Sequence, residues 1–508
     1  MTLLLLICAI IIHRFGWYNE EKDIKQDFTL LFILLKMQKG VNWCYNKLAK
    51  RCKLLYKQGD IMRRKYLNDL IEWMNDPRRK PLMVWGARQV GKSYLIEELF
   101  AKEYYENRYL KIDLSDDVDF VEFAENNSNL EKVLEYIQLH YNFIPDENHL
   151  LFFDEAQECP SIVKMMKHFN EKRRELPVIV SGSLVRLRIH RDSKKTNKKF
   201  LFPVGKINQL YVYPLTFDEF LLNYNENKYN YVKNHFENKE PIDKVIHDEL
   251  IDDFRTYMFI GGMPEVVDTF LAYKDKLSAF KAANKKIKEI YDDYLDDMGL
   301  YQTSTESIIR SRLVYNDIYK QLNKENKNFK ISQTVKNVKN RDMINPYFWL
   351  TTANVVLQAF CLKEKVTSPL IKEDDSLFRM YLSDVGMFTY QSGLKYESFL
   401  RDKDNSLSGI YYENYVATEL VAKRMDLFYW KGKRDSELEF IIDVNQSIVP
   451  IDVKKGKSKL NSLNEFRNHN KNDMAIKVSS NQYGYNEENR LMTLPFYYLA
   501  FYLNSIKD

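Results

Sequence analysis

The chain has 508 residues, 45% of them hydrophobic, with a formal net charge of +5 and a pI near 8.5. That length exceeds what a single hydrophobic core serves, so several domains are expected, and so mild a basicity does not by itself establish a nucleic-acid partner. The five cysteines, Cys8, Cys44, Cys52, Cys159 and Cys361, show no CxxC spacing, which excludes a disulfide framework or zinc site as the organising feature and reads as cytoplasmic.

Thr2 to Ile12, TLLLLICAIII, is apolar but too short for an ordinary spanning helix. It has neither a basic stretch before it nor a small-residue cleavage site after it. Residues 1–61 therefore read as an over-extended start or as a membrane-associating segment; on the first reading the domain pattern begins at Met62 and no membrane is expected.

Pro81 to Tyr94, PLMVWGARQVGKSY, sets an apolar strand before Gly86-xxxx-Gly91-Lys92-Ser93 and a helix-forming run after it. This is the context a phosphate-binding loop requires. The expected nucleotide-binding segment is Gly86, Ala87, Arg88, Gln89, Val90, Gly91, Lys92, Ser93 and Tyr94. Its glycines let backbone N–H groups point inward at phosphates, Lys92 reaches the β- and γ-phosphates, and Ser93 gives its hydroxyl to magnesium.

His149 to Pro160, HLLFFDEAQECP, reads as a buried strand ending in two acids. Asp154 is expected to hold the magnesium's water shell, and Glu155 to orient and deprotonate the attacking water. Pro177 to Ser183, PVIVSGS, supplies a third strand, with Ser183 as the expected γ-phosphate sensor and Ser181 second. Alternating strands and helices from Pro81 to about Leu215 predict a parallel α/β sheet covered on both faces, its ligand crevice at the strand C-termini. The cofactors expected are ATP and Mg2+.

The basic stretch RLRIHRDSKKTNKK, Arg186 to Lys199, is expected as a solvated loop, with a trans-acting arginine or a nucleic-acid grip as alternatives. Glu306 to Leu362 reads as two or three helices and a strand, which suits a winged helix. Lys330, Lys336 and Lys339 there stand as DNA-phosphate contacts or as a solvated face.

Glu413 lies on YYENYVATELVAKR, apolar at helical spacing. SELEFIIDV and IVPIDVKKG follow as hairpin-like strands carrying Glu439, then Asp452 and Lys454 on alternate residues. Alternation puts Asp452 and Lys454 on one face, so Glu439 and Asp452 could hold a divalent metal while Lys454 stabilises charge on a scissile phosphate or positions water. With Glu413 these are the candidate catalytic residues of this end. The pattern resembles the PD-(D/E)xK nuclease site, except that Glu439 stands where aspartate is usual. An active nuclease, an inactive scaffold of that fold and plain edge-strand charges all remain open readings.

From Met62 onward the chain resembles prokaryotic AAA-type ATPases that carry a C-terminal domain of unknown function with a restriction-endonuclease-like core. The likeness rests on GARQVGKS (Gly86 to Ser93), LFFDEAQECP (Leu151 to Pro160), SGSL (Ser181 to Leu184) and YPLTFDEFL (Tyr213 to Leu221). It continues through GGMPEVV (Gly261 to Val267), YLSDVGM (Tyr381 to Met387) and YYENYVATEL (Tyr411 to Leu420). The resemblance implies an ATPase core over 62–215, a helical lid and linker over 216–300, a winged-helix-like middle over 301–370 and a restriction-endonuclease-like domain over 371–508. The function expected is ATP binding and hydrolysis coupled to a nuclease-like module acting on DNA. The alternative is a nucleotide-dependent scaffold or switch whose inactive nuclease fold binds a protein or nucleic-acid partner. A homo-oligomer fits either.

Overall fold

The computed structural model describes residues 61–506 apart from short stretches at 197–201, 303, 336–337, 364, 373, 402–406, 433–435, 457–459 and 473. The expectations for residues 1–60, among them the apolar run and Cys8, Cys44 and Cys52, and for Lys336 lie outside the described residues. Cys159 and Cys361 are buried free thiols.

Short apolar runs after Pro81 become β1 (Leu82–Trp85), β2 (Tyr109–Asp113), β3 (Leu150–Asp154), β4 (Val178–Gly182) and β5 (Asn208–Tyr211). They pair in parallel in the order β2-β3-β4-β1-β5. Every residue of β1, β3 and β4 is buried, because helices cover both faces and no side of these strands meets water. Val133, Ile137, Ile162, Val163 and Phe169, from the helices Leu130–Tyr141 and Pro160–Lys172, join Phe153 and Val180 in one apolar cluster. The register sets Trp85 level with Gly182 and Tyr211. With Phe153 level with Val180, the loop after β1 and the acids at the end of β3 emerge from one edge of the sheet.

The basic stretch after β4 is a correction to the expectation of a solvated loop: it forms a helix, Val185–Thr196. Within it Val185 and Leu187 are buried. Its arginines lie along aromatic rings, Arg186 over Trp85 at 4.6 Å and Arg191 over Tyr301 at 4.9 Å. Stems that pack while their charges stay wet make a basic run compatible with a docked helix.

Helices Phe217–Tyr224, Glu226–Glu237, Lys244–Ile260, Pro264–Leu271 and Lys276–Asp297 follow, then Thr305–Leu322, the short Ile331–Thr334 and Ile344–Thr352. Lys330 and Lys339 are exposed. The remaining strands are β6 (Val356–Leu362), β7 (Phe378–Leu382), β8 (Leu427–Lys431), β9 (Glu437–Val444), β10 (Ser447–Val453), β11 (Ala475–Ser479), β12 (Gly484–Asn486) and β13 (Leu491–Pro495). They form an eight-stranded sheet in the order β12-β13-β11-β10-β9-β8-β6-β7. Because β6 pairs antiparallel with β7 and parallel with β8, this sheet runs across residue 370 and draws the end of the middle segment into the C-terminal layer.

From the helix Gly409–Ala422 the order is helix, β8, β9, β10, helix Asn461–His469, β11. β9 pairs antiparallel with β8 on one side and with β10 on the other, and β11 runs parallel to β10. Asn445 (φ 52) and Gln446 (φ 66) make the turn between β9 and β10, the doubly left-handed geometry whose twist suits a two-residue hairpin loop. Among the described residues no helix is long and apolar enough to cross a membrane.

Candidate functional site

The loop after β1 turns where side chains would not fit. A Cβ on Gly86 would lie 2.3 Å from the Val212 carbonyl oxygen, and Gly91 has φ +83. Lys92 opens the helix behind it and is buried, its Nζ donating to the carbonyls of Gly86 (3.2 Å) and Ala87 (2.8 Å). The loop's outer face is held by the helix Lys276–Asp297: Arg88 pairs with Asp297, Gln89 donates to Asp293 (2.8 Å), and the Tyr294 hydroxyl donates to the Arg88 carbonyl (2.9 Å). From the other side buried Arg64 donates to the Val90 carbonyl (2.7 Å), the Tyr213 carbonyl (2.6 Å) and the Glu219 carboxylate (3.2 Å).

At the ends of β3 and β4 the Asp154 carboxylate is buried, accepts from the Ser181 hydroxyl and from the Glu155 N–H (3.1 Å), and lies 3.3 Å from the Lys111 ammonium. Glu155 has φ 54, a left-handed conformation of the kind that collects at functional sites. Gln157 donates to its carboxylate. Ser181 rather than Ser183 thus reaches the acid; the buried Ser183 hydroxyl has no hydrogen-bond partner.

Burial pushes the Lys92 ammonium down to about 8, against the Glu155 and Asp154 carboxylates, which favour its charge. A polyanion at the loop would bind the protonated amine. ATP affinity is therefore expected to fall as pH rises above about 8, by up to roughly tenfold per unit, with proton uptake on binding. Calorimetry in buffers of different ionisation enthalpy measures this, and a flat affinity with no buffer dependence would remove Lys92 from the ligand.

A second set of contacts ties this loop to the far sheet. Asp384, buried just after β7, accepts from Gly262 N (2.7 Å) and caps the helix Val385–Gln391 through Met387 N (2.9 Å). Two residues beyond Gly262, Pro264 abuts the loop: a Cβ on Gly91 would meet its ring at 3.4 Å. Burial raises the Asp384 carboxyl to about 6, held back by the backbone N–H groups it accepts from. Gly261 sits at φ +78, and a Cβ there would come within 2.2 Å of the Asp384 carboxylate. Gly261→Ala is expected to destabilise the protein by roughly 2 kcal/mol or more, read as a lowered Tm; an unchanged melt would show that this joint yields.

In the C-terminal sheet Lys454 Nζ lies 2.9 Å from both the Glu439 and the Asp452 carboxylates, and Glu439 also accepts from Val453 N (3.1 Å). The Asp452 carboxylate is buried and meets Lys454 as an ion pair. Burial and the neighbouring Glu439 raise Asp452 to about 6. Glu439, despite burial, is held below its usual value by Lys454 and Lys327. Glu413 pairs with Lys327, the same lysine whose charge reaches Glu439. Among the described residues no three His, Cys, Asp or Glu side chains converge as a metal-holding group.

Arg64, Asp297 and Lys327 have no local pattern that announces them. Arg379 on β7 belongs with them: fully buried, paired with Glu437 and 4.0 Å over the Tyr429 ring. Asp384 lies inside the YLSDVGM motif, a signal without a role until its partner Gly262 is seen.

Residues 78–221 match the family model of an AAA domain. Residues 251–398 and 408–497 match the models of two domains of unknown function, DUF8612 and DUF4143. No curated protein matches the chain. Among solved structures, a Walker-type ATPase of Pyrococcus abyssi is similar over 65% of this chain and 96% of its own, at 15% identity and a TM-score of 0.41. The segment that carries the glycine loop and the acids at the end of β3 is therefore of the AAA-type P-loop ATPase kind.

Proposed function

We propose that the chain binds magnesium-ATP at the Gly86 to Tyr94 loop, hydrolyses it, and passes the nucleotide state through the Gly262–Asp384 contact to a nuclease-like C-terminal site acting on DNA. One observation carries the first half: Lys92, Asp154, Glu155 and the Ser181 hydroxyl belong to one C-terminal edge of the parallel sheet. The left-handed Gly91 and the close approach at Gly86 fit a loop whose N–H groups line a phosphate cradle. The oxygen donors Ser93 and Asp154 fit a small hard cation. Magnesium-ATP held there would supply the phosphoryl group and a positive charge to offset the charge on its phosphates. Lys92 exchanges its loop carbonyls for phosphate oxygens, Glu155 orients water and takes its proton, and Ser181, tied to Asp154, senses the γ-phosphate.

For the second half, the run of helix, three antiparallel strands, helix and parallel strand supports the restriction-endonuclease-like reading. In it Glu439 and Asp452 hold a divalent metal, Lys454 stabilises the scissile phosphate, and Glu413 completes the acid set. A specific observation favours a second reading. The Lys454 ammonium already stands 2.9 Å from both carboxylates, in the place a cation would take, as in a scaffold whose inactive nuclease fold binds a protein or nucleic-acid partner.

Metal-dependent cleavage of labelled DNA by the full chain, with and without ATP, separates the two. Cleavage lost in Asp452→Ala while ATP turnover persists is the expected result for the nuclease. ATP turnover lost in Glu155→Gln, with no DNA cleaved in magnesium or manganese, would leave an ATPase with a binding platform.

A further inference from the structure

Ser183 is 5% exposed and its hydroxyl finds no partner. It lines a cavity of about 170 Å³ with Arg186, Tyr211, Thr351, Thr352 and Asn354. Every one of those side chains can donate a hydrogen bond, and the described residues that line this cavity include no carboxylate. The guanidinium of Arg186 is stacked over Trp85 at 4.6 Å and donates to the Tyr211 hydroxyl at 2.7 Å, which fixes its charge at the cavity wall. Ser183 stands two residues before the helix Val185–Thr196 and Arg186 lies in its first turn, whose first N–H groups lack helical partners and favour an anion. An orphaned buried hydroxyl, a fixed guanidinium and a helix N-terminus converging without an opposing acid suit one oxyanion.

A second cavity of about 300 Å³ adjoins the first and shares Tyr211 and Thr351 with it. Its walls differ in kind: Tyr213, Val356 and Leu357 offer flat and apolar surface, while Arg424 and Asp426 stand among them. An aromatic and aliphatic slot of that size suits a planar ring, and a carboxylate there accepts from ribose hydroxyls but opposes further phosphates.

We propose that the two cavities form a second nucleotide site, separate from the loop after β1, which takes a nucleoside monophosphate with its phosphate beside Ser183 and Arg186 and its base against Tyr213. The walls come from the ends of β4 and β5, the end of the helix Ile344–Thr352, the start of β6 and the start of β8. An occupant would therefore cross-link the ATPase sheet, the middle segment and the C-terminal sheet.

The test is equilibrium dialysis of the full-length Lys92→Ala chain, in which the loop site is disabled, against labelled AMP, GMP, CMP and UMP. Wild-type chain with its loop filled by a non-hydrolysable ATP analogue serves if that variant does not fold. The expected result is one nucleotide per chain, bound about tenfold or more weakly after Arg186→Gln, which removes a charge-assisted contact, and weakened again by Tyr213→Ala. Arg186 is exposed, so its variant should fold. The proposal is overturned if none of the four binds, if neither substitution weakens binding, or if inorganic phosphate competes as well as the best nucleotide, since the base then contributes nothing.

Discussion

Replacing Lys92 by alanine is expected to abolish measurable magnesium-dependent ATP binding while leaving the fold intact. The ammonium is buried, bonded to the Gly86 and Ala87 carbonyls, and sits in the field of Glu155 and Asp154. It is therefore the charge that offsets two acids at a site meant for a polyanion. Alanine removes charge-assisted hydrogen bonds worth about 1.5–3 kcal/mol each and leaves the acids to repel phosphate, so affinity should fall by at least about a hundredfold. The fold should tolerate the change, because burial already works against the charged form of this lysine. Titration with a fluorescent ATP analogue, checked by thermal melting, measures both. Micromolar affinity retained with an intact melt would falsify the assignment of the loop.

Arg64→Ala is expected to have the largest effect on stability. Its side chain is 1% exposed and that of its partner Glu219 is 2% exposed, and the guanidinium also holds the carbonyls of Val90 and Tyr213. Removing it strands a buried carboxylate and two carbonyls, a loss of about 3–5 kcal/mol for a broken buried pair. The backbone N–H groups of Lys65 (2.7 Å) and Thr216 (3.2 Å) still reach Glu219, which argues for the lower end of that range. Because Val90 belongs to the phosphate-binding loop, ATP affinity should fall together with Tm. Arg64→Lys should rescue little, since an ammonium cannot serve three acceptors spread over a planar fork. A melt within a degree of wild type would mean that Glu219 and the loop are held by other contacts.

The chemistry of the loop was legible because every signal it needs is local. Strand, glycines, lysine and helix are contiguous, and the apolar runs of β1, β3 and β4 announce strands buried on both faces. The β9–β10 hairpin and the shared face of Asp452 and Lys454 follow from alternation in the same way. Choosing between Ser181 and Ser183 did not follow. Both stand at the end of one strand, and only the neighbouring strand shows that the first meets Asp154 while the second lines a cavity.

Other features depend on partners far along the chain. Asn414 holds Leu382 through its N–H (2.9 Å) and carbonyl (3.0 Å), Asp384 holds Gly262, and Lys327 meets Glu413; a run of residues read alone names none of these pairs. The helix after β4 was hidden for a related reason. Its arginines look like a solvated run until Trp85 and Tyr301 are beneath them, and the pairing of β6 with β8 is likewise invisible before the sheet assembles. The sequence by itself determined the ATPase loop, the strands that present it and the acid–lysine pattern at the far end, because short-range backbone preference and burial suffice to write them. Tertiary structure alone decided which charge meets which and how the two sheets are joined, because those choices depend on long-range packing that local preference does not encode.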